Sequence, residues 1–434
     1  MKKLIGILIV IALLLHENVV AQQAEQQVGS WINSGQFFRL NQAFPQLQNE
    51  LTPFTRDLAQ GCIEMAFNKP HLAIPKLQYV IDTYPEILGD NIVNIATLLS
   101  EQLYAQGEYA KAAAVMEHLL QLQGMPQDIK TFLSSFYRKY NALRNLPKST
   151  VTRSNALITV PFPANAPEDQ HHIYIPVEIA GATVPFIFDT GAAVNMVSRS
   201  FAQAHGIRIV ADSIFLTGVA GGAYAQLGVA DLLKIGSIEY TNVVFYVADD
   251  KDIIPDSLRD KFSYSIDAII GMEFLLKVGI TQVSFKDKCY RFPVEAPQLN
   301  TSSPNAFIWG GGSYLQAYMP DKDAVILKYD TGASKEAYFT KAYYQKHLAY
   351  FKSITKQVEQ INIGGFGGVA QNVSVLDVSA LPLRIGNVTK DIHMVVVDPI
   401  PTGAITNDGG LGLDFFRLFD NVTLNYKDMQ VIFE

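Results

Sequence analysis

The spacing of apolar residues changes part-way along the chain. From residue 22 to about residue 148, apolar residues recur every three or four positions, which is the period of an amphipathic helix. The segment 93–109 shows this pattern, breaks at Gly107, and is followed by a second helical segment from Ala110. An earlier helical segment breaks in the same way at Asn68. We therefore predict an all-α domain over residues 22–148.

The two breaks in the helical region lie 39 positions apart (107 minus 68), and alanine occupies positions where paired helices would touch. These helix-turn-helix units resemble tetratricopeptide repeats, although the spacing exceeds the usual repeat and the Trp and Pro signatures are missing. A generic helical bundle explains the pattern equally well. Either arrangement predicts a domain that binds a protein partner or braces the rest of the chain, without chemistry of its own.

From Ala156 onward, apolar and polar residues alternate, as in the segments 173–179 and 242–247. Alternation is the period of a strand, and the Gly, Asp and Asn residues between the segments mark turns. A stretch rich in Pro, Ser and Asn, residues 293–305, separates two blocks of this kind. We therefore predict two β domains, over residues 149–296 and 297–434.

The N-terminus has the features of an export signal. Lys2 and Lys3 precede an uninterrupted apolar run, Leu4–Leu15, and small residues at 19–21 suit cleavage before Gln22. We expect residues 1–21 to be a removed signal peptide, so that the mature protein is periplasmic or secreted; an uncleaved membrane anchor is the alternative. No later segment has the length and apolarity of a transmembrane helix, so we expect no membrane contact after signal removal.

Composition narrows the class of partner. The 434 residues are 49% hydrophobic and 17% charged, which suits a soluble protein of two or three domains. The net charge of -7 excludes the basic field that holds nucleic acid, so we expect a neutral or cationic polypeptide as partner. The two cysteines, Cys62 and Cys289, suit two unpaired thiols, although a disulfide between them stays open. No ligand spacing predicts a metal site or a cofactor.

The two β blocks repeat the same features in the same order. Asp189-Thr190-Gly191 follows an apolar strand in the first block, and Asp330-Thr331-Gly332 does so in the second, at an offset of 141 (330 minus 189). A later apolar segment ends at Gly271 in the first block and at Gly412 in the second, and this offset is also 141 (412 minus 271). A glycine-rich segment lies between these features in each block. One such tripeptide arises by chance, whereas two matched sets indicate an internal duplication.

These motifs resemble those of pepsin and retropepsin aspartic peptidases, and the resemblance covers roughly residues 155–434. It implies an all-β bilobal pair of acid-protease-type barrels in one chain, each lobe of retroviral size. It also implies catalytic roles for Asp189 and Asp330, which would share one proton and activate water to hydrolyse a polypeptide substrate. The predicted function is therefore an aspartic endopeptidase that needs no cofactor.

The resemblance also assigns supporting residues. Thr190 and Thr331 would hydrogen-bond across the lobe junction. Gly191 and Gly332 would allow a tight turn that brings backbone amides near the carboxylates. The glycine-rich hairpins would act as flaps over an extended substrate, and their predicted glycines are Gly221, Gly222, Gly365 and Gly367.

The second block departs from the family pattern in its charges. Lys328 precedes Asp330 by two residues, and Lys335 and Glu336 follow soon after. Two alternatives therefore stay open. The protein could be a non-catalytic peptide- or protein-binding pseudopeptidase, or a homodimeric peptidase that uses Asp189 from each of two chains. The sequence leaves substrate specificity, pH optimum and oligomeric state undetermined.

Overall fold

The computed structural model describes residues 19–434 except 168–170, 219–220, 254–265, 297–302, 321–322, 353, 367 and 398–406. The apolar run of the predicted signal peptide lies outside the described residues. The chain divides into two compact units. The first comprises Met1–Lys148 with Phe307–Gly310 and Gly403–Thr406; the second comprises Ser149–Ala306, Gly311–Thr402 and Asn407–Glu434. Over the described part of the chain, no helix combines the length and apolarity needed to cross a membrane.

The first unit is built from helices, as predicted. They are α1 Val19–Asn33, α2 Phe37–Leu47, α3 Pro53–Ala66, α4 Pro70–Thr83, α5 Pro85–Leu88, α6 Ile92–Ala105, α7 Tyr109–Leu120 and α8 Gln127–Leu143, with a 3-10 turn at Gly89–Asn91. Successive long helices pack on one another: α3 on α4, α4 on α6, α6 on α7, and α7 on α8. The apolar faces read from the sequence therefore form the shared core of the unit.

The two predicted breaks are the turns of helical hairpins. Asn68 lies between α3 and α4, and Gly107 lies between α6 and α7. Both residues have positive φ, 55° and 77°, which reverses the chain directly after a helix. At the other end of α3, the side chain of Thr52 accepts the Thr55 amide, and Pro53 occupies the first turn. The resemblance to tetratricopeptide repeats stays a prediction.

The first unit also contains an aromatic cluster. Phe37 is fully buried, and its ring centroid lies 4.3 Å from that of Trp309 and 5.3 Å from that of Phe307. Trp309 is 3% exposed. The chain has two tryptophans, Trp31 and Trp309, and both belong to this unit.

The β-rich remainder consists of strands with a few short helices. Before residue 296 these are β1 Thr150–Thr152, β2 Ile158–Pro161, β3 Tyr174–Ile179, β4 Ala182–Phe188, β5 Met196–Ser198, α9 Arg199–Ala204, β6 Arg208–Gly218, β7 Gly221–Ile235, β8 Ile238–Ala248, α10 Asp250–Ile253, β9 Ala268–Ile270, α11 Met272–Val278, β10 Ile280–Ser284 and β11 Cys289–Phe292.

The later block has the same composition. Its elements are β12 Ala306–Trp309, β13 Gly312–Tyr318, β14 Ala324–Asp330, β15 Ala337–Thr340, α12 Lys341–Lys346, α13 Leu348–Lys352, β16 Thr355–Gly365, β17 Gly368–Ile385, β18 Val388–Val397, β19 Gly409–Gly412, α14 Leu413–Phe416, β20 Asn421–Asn425 and β21 Gln430–Phe433.

Each block closes into a barrel with the same strand order. In the first, hydrogen bonds run β7-β3-β4-β9-β5-β8 and return from β8 to β7. In the second they run β17-β13-β14-β19-β15-β18 and return from β18 to β17. The strands β6 and β16 extend each barrel as one arm of a long hairpin. The internal duplication in the sequence is therefore a duplication of the fold, and the predicted fold class is confirmed.

A third sheet joins the two lobes. Its strand order is β2-β11-β10-β20-β21, and β10 pairs antiparallel with β20 over five residues from each lobe. Tyr290 and Phe292 lie on β11 of this sheet, Phe188 lies at the end of β4, and all three rings are fully buried. Burial of each such ring contributes roughly 1.5–3 kcal/mol, so the lobe junction rests on a substantial apolar core.

Candidate active site

A crossing strand positions each aspartate. In the first lobe β9 pairs parallel with β4, and the Asp189 amide donates to the carbonyl of Ile270, 3.1 Å away. In the second lobe β19 pairs parallel with β14, with Asp330 opposite Gly412. Each crossing strand pairs antiparallel with the strand that follows the aspartate, β5 or β15. The aspartate turn is thus held between two strands in both lobes, in the same way.

The two Asp-Thr-Gly motifs meet face to face. Each motif's glycine lies against the carboxyl group of the other motif's aspartate. A Cβ on Gly332 would lie 2.5 Å from Oδ2 of Asp189, and a Cβ on Gly191 would collide with the carboxyl of Asp330. The structure therefore brings the two predicted aspartates, which are far apart in sequence, together at one point between the lobes.

The glycines serve the site through the space that they leave. Both glycines lie in turns, as the sequence suggested, although neither Gly191 nor Gly332 has a positive φ. Glycine is required because the opposite carboxyl occupies the place of a side chain. The expected amide contacts are present: the amides of Gly191 and Ala192 donate to Oδ1 of Asp189 at 2.7 and 3.0 Å, and the Gly332 amide donates to Oδ1 of Asp330 at 3.0 Å.

The threonines form a reciprocal network beneath the aspartates. The Thr190 amide donates to Oγ1 of Thr331, and the Thr331 amide donates to Oγ1 of Thr190. The hydroxyl of Thr190 donates to the carbonyl of Tyr329, and that of Thr331 donates to the carbonyl of Phe188. Thr190 is 0% and Thr331 1% exposed, so water does not compete for these bonds. The network ties the two aspartate turns to each other.

Two long hairpins end near each other. Gly218 pairs with Gly221 at the end of β6 and β7, and Gly365 pairs with Gly368 at the end of β16 and β17. A Cβ on Gly218 would collide with the backbone carbonyl of Phe366 in the other hairpin. Gly221 and Gly222 are exposed. The predicted glycines Gly221, Gly222 and Gly365 therefore lie on these hairpin ends, whereas Gly367 lies outside the described residues.

One cation lies beside the aspartate pair. Nζ of Lys328 lies 3.0 Å from Oδ2 of Asp330 and 3.4 Å from the carbonyl oxygen of Gly191. The Lys328 side chain is 13% exposed and that of Asp330 22%. Of the three charged residues that distinguish the second motif, Lys328 is the one at the site. Lys335 is exposed, and Glu336 accepts the His393 amide at 2.6 Å.

The two carboxyls differ in their pKa. Burial, followed by the charge of Asp330, raises the pKa of Asp189 to about 7. Burial would also raise the pKa of Asp330, but the charge and hydrogen bond of Lys328, with the Gly332 amide and Asp189, outweigh it and hold that pKa below its ordinary value. Burial lowers the pKa of Lys328, yet the charge of Asp330 raises it overall. The proton of the pair therefore favours Asp189 and the negative charge favours Asp330.

Sequence reasoning missed two residues near this cation. Tyr338 on β15 pairs with Gly410 on β19, and Gly410 pairs with Lys328 on β14. The available signal was the duplication itself, because Lys328 and Gly410 stand where the first lobe has Ile187 and Ile269.

Elsewhere in the described ranges, no group of three or more His, Cys, Asp and Glu side chains could hold a metal ion. Cys62 and Cys289 are both buried free thiols.

Comparison with known families places the first motif. Residues 175–274 match the family model described as aspartyl protease, which covers less than half of the chain. The match begins at the second residue of β3 and continues past β9, and thus contains Asp189, the first hairpin and Gly271. This segment is aspartyl protease-like. A comparison with curated protein sequences finds no match.

Several solved structures align with this chain at low identity. Basic 7S globulin from soybean aligns at 11% identity over 65% of this chain and 95% of that chain, with TM-score 0.39. A retropepsin-like aspartic protease from Rickettsia conorii aligns at 17% identity over 32% of this chain and 99% of that chain, with TM-score 0.22. EIAV protease aligns at 18% identity over 28% of this chain and 92% of that chain, with TM-score 0.18.

Proposed function

We propose that this protein is an aspartic-type endopeptidase in which Asp189 and Asp330 form one catalytic pair. The observation that carries the proposal is the reciprocal contact of each motif's glycine with the other motif's carboxyl. Ionising both of two neighbouring carboxyl groups costs free energy, because two negative charges then lie side by side. The pair therefore holds one proton over a range of pH. One group is then an acid and the other a base at the same site, which is the requirement for hydrolysis by activated water.

The pKa difference assigns the first steps. Asp330, as carboxylate, takes a proton from water while the water oxygen forms a bond to the carbonyl carbon of the substrate. Asp189 gives its proton to the carbonyl oxygen, so a neutral tetrahedral diol forms. The C–N bond then breaks as the amide nitrogen takes the proton from Asp330 and one hydroxyl of the diol gives its proton to Asp189. A carboxylic acid and an amine leave, and the pair again holds one proton, on Asp189. Acid and base assistance of this kind contributes about 10²–10⁴-fold in rate.

The hairpins supply the proposed substrate site. Their ends approach each other at Gly218 and Phe366, and we propose that a substrate chain bound at the aspartates lies against both. Strand edges bind an extended polypeptide through its main chain, whatever its side chains. We therefore propose a polypeptide substrate. The helical unit would bind a protein partner, and the protein would be exported to the periplasm or secreted, beginning at Gln22 after signal removal.

The test is cleavage of a mixed peptide library by full-length protein at several pH values. Asp189→Asn and Asp330→Asn should each lower the rate by at least about 10²–10⁴-fold while circular dichroism shows an unchanged fold. Asp420→Asn is the matched control, because Asp420 lies on the surface, paired with Lys286 at 3.1 Å. Its activity should equal that of the parent protein.

Two other functions have distinct outcomes in the same test. Full activity of Asp330→Asn, with a dimer in sedimentation, would favour a homodimeric peptidase that uses Asp189 from each chain. The ion pair of Lys328 with Asp330 is the observation that favours a non-catalytic binding protein. That function predicts peptide binding without cleavage at any pH, and binding that survives both Asp→Asn substitutions.

A further inference from the structure

The duplicated fold allows position-by-position comparison of the two lobes. Ile187 precedes Asp189 by two residues and pairs with Ile269 on the crossing strand. Lys328 precedes Asp330 by two residues and pairs with Gly410 on the crossing strand. The offset between the lobes is the same for both members of the pair (328 minus 187, 410 minus 269). At equivalent positions behind the aspartate, the first lobe thus has two large apolar side chains, and the second has a cation and no side chain.

The missing side chain at position 410 makes room for an aromatic ring. A Cβ on Gly410 would lie 2.5 Å from Cε1 and 2.8 Å from the hydroxyl of Tyr338. Tyr338 pairs with Gly410 as Met196 pairs with Ile269 in the first lobe. The ring therefore lies over the crossing strand, in the space that Ile269 occupies in the other lobe. Lys328, Gly410 and Tyr338 are therefore cross-strand neighbours on β14, β19 and β15, and they form one local arrangement that the first lobe lacks.

The buried ammonium group of Lys328 depends on the carboxylate of Asp330 for its stabilisation. With 13% of its side chain exposed, Lys328 has lost most of its water, which is costly for an ammonium group unless an anion replaces the water. Its ammonium contacts Asp330 Oδ2 directly, while Oδ1 of the same carboxyl accepts the Gly332 amide. Both oxygens of Asp330 are therefore held by donors. For Asp189, by contrast, the backbone amides of its own turn contact Oδ1, which leaves Oδ2 toward the second motif.

We propose that Lys328 is a positioning residue that assigns the negative charge of the pair to Asp330 and the proton to Asp189, so that the two aspartates have fixed roles. The proposal rests on the proposed function and deepens it. In a symmetric pair either carboxyl could act as the base. Here the second lobe supplies the base and the first supplies the acid.

Among the described residues, no other titratable group around Lys328 provides a competing positive charge. Those that act on it are Asp189, Asp330 and Tyr338, and Lys328 in turn acts on Tyr314, opposite it on β13. Burial raises the pKa of Tyr314 to about 12 and raises that of Tyr338, so both rings stay neutral wherever the pair holds one proton. Lys328 is therefore the cation that biases the carboxyls.

The test compares the pH dependence of kcat/KM for Lys328→Met and Lys328→Arg with that of the parent protein. Removal of a cation in contact with a carboxylate raises the pKa of that carboxyl by roughly 1–3 pH units. The acid limb of the Met variant should move to higher pH by about this amount, and the alkaline limb should move up less. Arg keeps the charge, so its limbs should remain at the parental pH. Unmoved limbs in the Met variant, with only a uniform loss of rate, would overturn the proposal.

A readout without turnover separates this proposal from the proposed function. Carboxyl carbons of ¹³C-aspartate-labelled protein can be titrated by NMR, with the Asp330 signal assigned by its loss in Asp330→Asn. If the parent protein is inactive but the Asp330 midpoint rises in Lys328→Met, the charge assignment stands and the peptidase function fails. If the parent protein is active and the midpoint does not move, the charge assignment fails alone. Lys328→Gln repeats the measurement if the Met variant does not fold.

Discussion

The backbone amide of Thr190 donates a hydrogen bond to Oγ1 of Thr331, and the amide of Thr331 donates one to Oγ1 of Thr190, each 3.0 Å long. The two residues lie 141 positions apart and are equivalent in the duplicated lobes. The hydroxyl of Thr190 donates to the carbonyl of Tyr329, and that of Thr331 donates to the carbonyl of Phe188. Tyr329 and Phe188 directly precede the two aspartates. The orientation of each carboxyl therefore depends on the other lobe.

Replacement of one threonine should loosen both lobes. In Thr331→Val the buried amide of Thr190 and the carbonyl of Phe188 lose their partner, and each unsatisfied group costs about 1–3 kcal/mol. Unfolding in urea, followed by circular dichroism, should show that loss, and kcat should fall because the carboxyls are no longer aligned. Thr331→Ser keeps the hydroxyl and should lose little. Destabilisation of the double Thr→Val variant equal to the sum of the single effects would contradict this coupling.

Substitution of a motif glycine should separate the aspartates. A methyl group in Gly332→Ala would lie 2.5 Å from Asp189 Oδ2, a distance that forces one turn to move. Because the clash is between the two motifs, we expect a large loss of kcat together with lower stability of the lobe junction. The outcome is checked by peptide cleavage and by thermal unfolding. Ala333→Gly, next to the same turn, is a control that adds no atoms; activity of Gly332→Ala equal to that control would show that the motifs do not meet.

The unmodified protein should cleave peptides from acid pH up to about neutral pH. Catalysis requires Asp330 ionised and Asp189 protonated. Because the pKa of Asp330 is lowered, the acid limb of kcat/KM should lie below the ordinary aspartate value of 3.8; because burial and Asp330 raise the pKa of Asp189, the alkaline limb should lie near 7. A rate profile over pH 2–9 checks both. A single optimum at strong acid, with no activity at pH 6, would contradict the assignment.

The same shifts set the direction of stability changes. Asp189 has a raised folded pKa, so its contribution to stability is full below 3.8 and is lost as pH rises through about 7. Asp330 has a lowered folded pKa, so its contribution is present above 3.8 and is lost as pH falls through the folded value. The pair should therefore be most stabilising near pH 3.8, and its contribution should decline as pH rises from there toward about 7 or falls toward the folded pKa of Asp330.

The helical unit contains a separate titrating group. Burial raises the pKa of Glu101 from 4.5 to about 7, although the charge of Lys139 opposes this. Stability should therefore fall as pH rises from about 4.5 to about 7, since the neutral carboxyl is favoured in the folded unit. Glu101→Gln should flatten this slope and be the more stable protein above pH 7. Unfolding in urea at several pH values, followed by the fluorescence of Trp31 and Trp309, measures this slope, and an unchanged slope in the variant would refute the expectation.

Much of the architecture followed from local pattern. Helical spacing before residue 148 and strand alternation after it give the two kinds of unit, because the spacing of apolar residues along the chain determines whether a helix or a strand presents them on one face. The turns at Asn68 and Gly107 could be predicted from the sequence for the same reason. The correspondence between the motifs around Asp189 and Asp330 could also be predicted, because a duplicated sequence implies duplicated elements.

The role of Lys328 could not be read from its position in the sequence. A lysine two residues before an aspartate on a strand lies on the same face, but its burial and its contact with the carbonyl of Gly191 depend on the other lobe. Likewise, Gly410 and Tyr338 are 72 positions apart (410 minus 338), and only the sheet order makes them neighbours.

By itself, the sequence determined the elements, the duplication and the residue types available for chemistry, since these depend on local spacing and on matched motifs. The tertiary structure alone decided which groups share a site and how charge is divided between two carboxyls of the same type. The physical reason is that a pKa depends on burial and on charges within a few ångströms. In this protein those charges come from strands that are distant in the chain.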